Sequence, residues 1–188
     1  ELKKIGLSYV GVSLDGLQPT HDRFRGRKGA FEKAIVGIRN CREAGIKVGL
    51  RFTVNRHNVA DVSAMFDLLR KEKIERMCFY HLVYSGRGSK LREEDLTHGE
   101  ARRLLDLIAD KTKAMFDDGL APEILTVDNH ADGPYLYLKM REKDPARAAE
   151  ILELLEMNEG NSTGVGIGCI SWDGEVYPDQ FWRNRPLG

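Results

Sequence analysis

Asp128, Asn129, His130 and Asp132 fall within the stretch VDNHADGPY (127–135), directly after the apolar run EILTV. A carboxylate beside an imidazole can fix its tautomer and tune its basicity. Asp128 and His130 are therefore candidate catalytic groups, with Asn129 and Asp132 as candidate substrate contacts. Four polar residues in a loop also make an ordinary turn, and both readings stand. A second cluster, SLDG, places Ser13 and Asp15 after the apolar run YVGV; the plain alternative is turn chemistry, since Asp-Gly favours tight turns. A third, HDRFRGRKG (21–29), carries Arg23, Arg25, Arg27 and Lys28 between glycines, and suits either a carboxylate or phosphate ligand or a solvated loop. SGRG (85–88), with Arg87, offers backbone N–H groups to an anion, but is neither a Walker A loop nor G-x-G-x-x-G. Of the cysteines, Cys41 lies on a helical apolar stripe and Cys78 in mid-strand, so both read as core. Cys169 follows glycines in a hairpin and is the better candidate metal ligand. His81, inside an apolar run, reads as a core histidine.

The elements that position these residues follow from periodicity. SYVGVSLDG (8–16), KVGLRFTVN (47–55), RMCFYHLVY (76–84) and EILTV (123–127) read as strands. Helical spacing appears at Phe31, Ala34, Ile35, Ile38 and Cys41, then at Val62, Met65, Phe66 and Leu69. Thr97 and Glu100 predict a capping box opening a helix over 97–119. Asp144 and Pro145 predict the start of a helix over 144–157. The order β-α-β-α-β-α-β-α implies an α/β fold with a parallel sheet and right-handed crossovers, either barrel-like or open. Function in such folds gathers at the C-terminal strand ends, where the polar clusters lie. NEGNSTGVG (158–166) is a Gly-rich linker, and Asp173-Gly174 predicts an antiparallel β-hairpin within 166–182. The domain expectation is therefore 1–157 and 158–188.

The chain has 188 residues, 29 Lys plus Arg and 29 Asp plus Glu, so its net charge is zero. That balance gives no electrostatic case for nucleic acid or an acidic membrane. No run is apolar enough to span a bilayer and no signal-peptide pattern opens the chain, which leads to the expectation of a cytoplasmic protein. Three scattered cysteines make no disulfide framework, and no C-x-x-C pair exists. A start at Glu1 rather than Met, and an end at RNRPLG, give the expectation of a fragment.

YVGVSLDG, HDRFRG, the helix start at GAF and the later GIGCISWDGEVYPDQFW together resemble the radical S-adenosylmethionine (SAM) enzymes that carry an auxiliary iron–sulfur domain. KVGLRFTVN, FYHLVYSGRG and LTVDNHADGPYLY are similar to the branch that acts on modified haems in heme d1 biosynthesis and the siroheme-dependent haem pathway. The resemblance spans nearly the whole chain. It implies the C-terminal half of a six-stranded partial (β/α) barrel of TIM type, followed by the auxiliary hairpin, with EILTV as an extra strand. The family's C-x-x-x-C-x-x-C loop, which binds the SAM-cleaving 4Fe-4S cluster, is absent from this sequence, so the stretch alone is expected to be inactive. By position, Ser13 matches a ribose contact of SAM, and Asp15 shares its turn. Arg25 or Arg51 matches the partner of SAM's carboxylate, and Leu82 and Val83 match the strand that packs on the adenine. Cys169 matches the first ligand of an auxiliary 4Fe-4S cluster. Pro178 is followed by Asp179, where many auxiliary domains have Cys.

The resemblance further implies a metallo-tetrapyrrole substrate, a 5′-deoxyadenosyl radical, and an electron donor of flavodoxin or ferredoxin type. Removal of acetate side chains from a didecarboxysiroheme-type substrate is the favoured reaction. Propionate decarboxylation of iron-coproporphyrin and the heme d1 step come next. Arg51 and Arg87 are then candidates for substrate carboxylates, and His130 for the iron, a proton or a propionate. Competing expectations are a peptide-modifying radical enzyme, a cluster-free barrel using Asp128 and His130 as acid and base, and a barrel-derived binding module without catalysis.

Overall fold

The computed structural model describes residues 3–188 and divides them into two compact units. The first comprises residues 3–82 and 94–128, the second 83–93 and 129–188. The composition break at 158 thus falls inside the second unit.

The first unit is a four-stranded parallel sheet in the order β1-β2-β3-β4. Its strands are β1 (Tyr9–Ser13), β2 (Lys47–Thr53), β3 (Arg76–Tyr80) and β4 (Glu123–Val127). EILTV is a full member of the sheet, pairing Arg76 with Glu123 through Tyr80 with Val127. Register and the two-residue side-chain alternation give the sheet two faces. Val48, Leu50, Phe52, Met77 and Phe79 point one way and are buried. They meet Ile35 and Ile38 of α2 (Ala30–Glu43), Met65, Phe66 and Leu69 of α3 (Val62–Glu72), and Leu104 and Ile108 of α4 (His98–Asp117). Phe79 joins the layers, with ring centroids 5.8 Å from both Phe52 and Phe66. Each such burial stabilises by about 1.5–3 kcal/mol. Outside this core, Arg39 of α2 grips the buried Glu72 of α3 through two hydrogen bonds of 2.9 and 2.7 Å. The Arg39 guanidinium holds the Glu72 carboxyl below the usual range. α4 opens with the expected capping box: the Glu100 amide donates to Thr97 Oγ1, and the Thr97 amide to Glu100 Oε2.

Helices α1 (Gln18–Arg25) and α5 (Asp132–Lys143) were not legible. The Arg-rich stretch expected as loop forms α1, with Pro19 in its first turn and Gly26 ending it at φ 63°. Asp22 then carries the chain into α2, accepting the Gly29 amide at 2.7 Å and the Phe31 amide at 2.9 Å.

The second unit holds a 3-10 helix (Gly86–Glu94, whose last residue belongs to the first unit), α5 (Asp132–Lys143), α6 (Pro145–Met157) and a small hairpin. α5 and α6 pack together, with Gly133 set against the end of the Leu155 side chain. Asp144 caps α6 by accepting the Arg147 amide at 3.0 Å, as expected. β5 (Cys169–Ile170) and β6 (Val176–Tyr177) pair antiparallel. Their loop is longer than the two-residue turn expected from Asp173-Gly174. The Ser171 amide donates to the Glu175 carbonyl, and Gly174 sits at φ 89°, the three-residue loop with a left-handed glycine. No helix among the described residues is long and apolar enough to cross a membrane.

Candidate functional site: the open face and strand ends of the parallel sheet

The second face of the sheet is mixed, with Tyr9, Ser13, Arg51, Arg76 and Tyr80 beside glycines, Cys78 and Leu125. Its lower half, toward the strand N-termini, is occupied by its own side chains. Tyr9 lies over Gly49, where a Cβ would meet the phenol oxygen. The Arg76 guanidinium stacks 5.3 Å from the Tyr9 ring, and its Nε stands 3.2 Å from Glu123. Cys78 is buried as expected of a core residue, on this face in the row of Arg51 and Leu125.

The upper half differs. Ser13 and Arg51 are cross-strand partners and both are exposed. The Arg51 side chain lies flat across Gly11, where an added Cβ would come within 2.5 Å of its Nε. No ion pair engages Arg51 among the described residues. Tyr80 stands one row further up. Burial pushes its phenol up, Cys78 and Asp128 add to this, and Arg51 opposes. The phenol therefore stays protonated and offers an O–H donor. Asp128 itself takes a left-handed φ of 68°, a conformation Asp tolerates better than most residues.

Behind this face, the strand ends are braced by a buried polar network. Asp15 is 1% exposed. Its Oδ1 accepts the Thr53 amide at 3.0 Å and its Oδ2 accepts Arg25 Nη2 at 2.5 Å. Its own amide donates to His21 Nδ1 at 3.0 Å, so that nitrogen is unprotonated. Desolvation lowers the His21 pKa; the Asp15 charge works against this and the Arg25 charge with it. Asn58 Nδ2 donates to the Thr53 carbonyl at 2.9 Å and the Asp15 carbonyl at 3.2 Å, and Asn58 Oδ1 accepts the Asn55 amide at 2.8 Å. Asp61 accepts the Leu17 amide at 2.9 Å. Asp15 thus spends both carboxylate oxygens, one on Arg25 and one on the Thr53 amide, while Arg51 and Ser13 keep their polar groups available.

The stretch that stands out in sequence divides between the units. Asp128 closes the first; Asn129, His130 and Asp132 open the second. Asn129 Oδ1 accepts the Ala131 amide at 3.1 Å, an Asx turn leading into α5. Asp132 is buried as the first residue of that helix, and His130 is exposed. Leu82 ends the first unit and Val83 begins the second, both half-buried. Arg87 lies in the 3-10 helix, and its side chain falls outside the described ones. Sequence reasoning missed His21, Tyr80, Asn55 and Asn58; only the polar character of HDRFRG and TVNRHN signalled the network.

An exposed hydroxyl and an unpaired guanidinium on a glycine platform fit a ligand with hydroxyls and a carboxylate, as SAM has. The residues present do not make an iron–sulfur centre by themselves. Cys41, Cys78 and Cys169 are free thiols, and no three His, Cys, Asp or Glu side chains converge among the described residues. Half-buried Cys169 at the start of β5 can supply one ligand.

Residues 1–87 match the family described as the Radical SAM superfamily. Across 188 residues the chain is 61% identical to the Fe-coproporphyrin III synthase of Methanosarcina barkeri, covering all of this chain and 47% of that protein. It is 40% identical over 187 residues to the pre-heme d1 synthase of Dinoroseobacter shibae, covering 98% of this chain and 46% of that protein. An AdoMet-dependent heme synthase of M. barkeri is 26% identical over 183 residues, covering 95% of this chain and 49% of the relative. The chain spans about half the length of the curated relatives it matches. Among solved structures, Streptococcus suis SuiB bound to its precursor peptide SuiA superimposes with a TM-score of 0.65 at 15% identity, over 90% of this chain and 36% of SuiB, which is a likeness of fold. Residues 1–87 of the chain thus belong to the radical SAM superfamily, and its full length is similar to an Fe-coproporphyrin III synthase and a pre-heme d1 synthase.

Proposed function

We propose that this chain is the SAM-positioning and substrate-facing part of a radical SAM enzyme that removes carboxylate-bearing side chains from an iron tetrapyrrole. The observation that carries the reading is the 61% identity, along every residue of the chain, to a protein named Fe-coproporphyrin III synthase. That favours the acetate-removing step on a didecarboxysiroheme-type substrate. The heme d1 step is the second reading, supported by the 40% identity to a pre-heme d1 synthase. Propionate decarboxylation has weaker support at 26%.

SAM, when bound and reduced, supplies the chemistry that attacks an unactivated C–H bond. The residues of this chain do the positioning. Arg51 binds the carboxylate of SAM, held at a fixed height by the Gly11 platform, and Ser13 bonds a ribose hydroxyl. Arg25 does not serve, because Asp15 already holds it. Tyr80 keeps its proton and donates to the bound ligand. Leu82 and Val83 supply apolar contact to the adenine. The buried Asp15 network keeps the ends of β1 and β2 in register so that Ser13 and Arg51 stay opposed. His130, Asn129 and Arg87 are assigned to the substrate, with Asp128 beside Tyr80 at the strand end. Buried Asp132 anchors the start of α5 instead. Cys169 supplies one ligand to an auxiliary 4Fe-4S cluster in segment 158–188, and a flavodoxin- or ferredoxin-type donor in the cytoplasm provides electrons.

The test is anaerobic turnover. The longest polypeptide in frame with this chain, given SAM, dithionite and didecarboxysiroheme, is expected to yield Fe-coproporphyrin III by mass spectrometry. Unchanged substrate, with turnover of a heme d1 precursor instead, replaces this reading by the second.

A further inference from the structure

Helix α1 has two faces with different employment. His21, Asp22 and Arg25 face inward and are all engaged, with Asp15, with the Gly29 and Phe31 amides, and with Asp15 again. Thr20, Arg23 and Phe24, spaced i, i+3 and i+4, share the other face. With His57, from the loop after β2, they line a cavity of about 310 Å³ beside the strand ends. We propose that this cavity is a carboxylate subsite that takes one acidic side chain of the tetrapyrrole; it rests on the function proposed above.

Four observations carry it. The volume stands at the small end of ligand sites, room for one side chain and a ring edge rather than a macrocycle. Arg23, which lines the cavity, has no ion-pair partner among the described residues, and its neighbour Asp22 is spent on backbone amides. The cavity lining therefore carries one guanidinium with no ion-pair partner. Phe24 is 38% exposed and gives an apolar wall, which a bare inorganic anion does not need. His57 is held in place, its amide donating to Asn55 Oδ1 at 2.9 Å and its Nε2 lying 2.7 Å from Glu94. Glu94 also disfavours a dianion, so a carboxylate on an apolar body fits better than a phosphate. Guanidinium forks bind carboxylates through two parallel N–H bonds, and the Thr20 hydroxyl adds a donor.

The experiment is a porphyrin titration followed by Soret absorbance, using the longest polypeptide in frame with this chain. Coproporphyrin III, with free carboxylates, is compared with its tetramethyl ester in the same detergent. The proteins are the unsubstituted form, Arg23→Ala, Arg23→Lys and the control Lys28→Ala. Arg23→Ala is expected to weaken the free acid about tenfold and leave the ester unchanged. Arg23→Lys is expected to fall between, and Lys28→Ala to stay within about twofold. Binding of the free acid that ignores Arg23, or an equal loss for acid and ester, overturns the subsite and leaves the tetrapyrrole reading standing. No binding of either compound by the unsubstituted protein overturns the tetrapyrrole reading, and the subsite with it.

Discussion

Replacing Asp15 separates bracing from ligand binding. Asp15→Ala removes two acceptors at once. The Thr53 amide loses its partner at a site where Asp15 is 1% exposed, and an orphaned buried donor costs about 1–3 kcal/mol. The Arg25 side chain is 40% exposed and can turn to water, so losing its ion pair adds at most about 1 kcal/mol. The sum is about 1–4 kcal/mol of unfolding free energy. Asp15→Asn keeps an oxygen for Thr53 and loses only the charge facing Arg25, for about 1 kcal/mol. Urea unfolding followed by circular dichroism gives the stability order, and hydrogen exchange at the Thr53 amide reports the bond itself. The expected order is Asp15, then Asn, then Ala, with Thr53 exchange accelerated in Ala alone. Equal loss in the two variants, or a protected Thr53 amide in Asp15→Ala, would refute the bracing role.

Further outcomes follow from the same geometry. His21 has a folded pKa below its unfolded value of about 6.5, so the unfolded chain binds the extra proton first. His21 should therefore contribute stability that is complete above about pH 6.5 and lost as pH falls toward the lowered folded pKa; in His21→Gln, which keeps an acceptor, a urea titration across this window should show that dependence gone. Gly11→Ala should unfold within about 1 kcal/mol of the unsubstituted chain, because its backbone suits alanine, yet bind SAM several-fold more weakly in equilibrium dialysis by lifting Arg51. Arg51→Ala should lose about tenfold or more in the same assay, and unchanged affinity would remove Arg51 from the site. Cys169→Ala should lower the iron content of the longest in-frame polypeptide, whereas undiminished iron would exclude Cys169 as a ligand.

The strands and long helices were legible because their burial is apolar and periodic. Val48, Leu50 and Phe52 alternate along β2, and Met65, Phe66 and Leu69 recur along α3. α1 was not legible because apolar burial is not what holds it: its inner face is His21, Asp22 and Arg25, each satisfied by a hydrogen bond rather than by packing. Charged residues at helical spacing look the same on paper whether solvated or locked. α5 was hidden differently. Gly133-Pro134 reads as a turn, but proline is tolerated in a first helical turn, and the glycine lies against Leu155, a residue of another helix.

The same limit governed the site. Sequence placed the polar residues at strand ends but left Arg25 and Arg51 as equal partners for a carboxylate. What separates them is Asp15, which holds Arg25 and reaches 38 residues along the chain to Thr53. No local pattern encodes such a contact. Its consequence is selective: a buried acid that neutralises one arginine leaves the other, across the strand from Ser13, as the charge available to a ligand. The acid of SLDG and an arginine of HDRFRG are already paired, and the residue left over, Arg51, lies on an apolar-flanked strand where composition gave it no prominence. Binding sites on parallel sheets arise in this way when internal pairing is complete everywhere except at the position meant for the ligand.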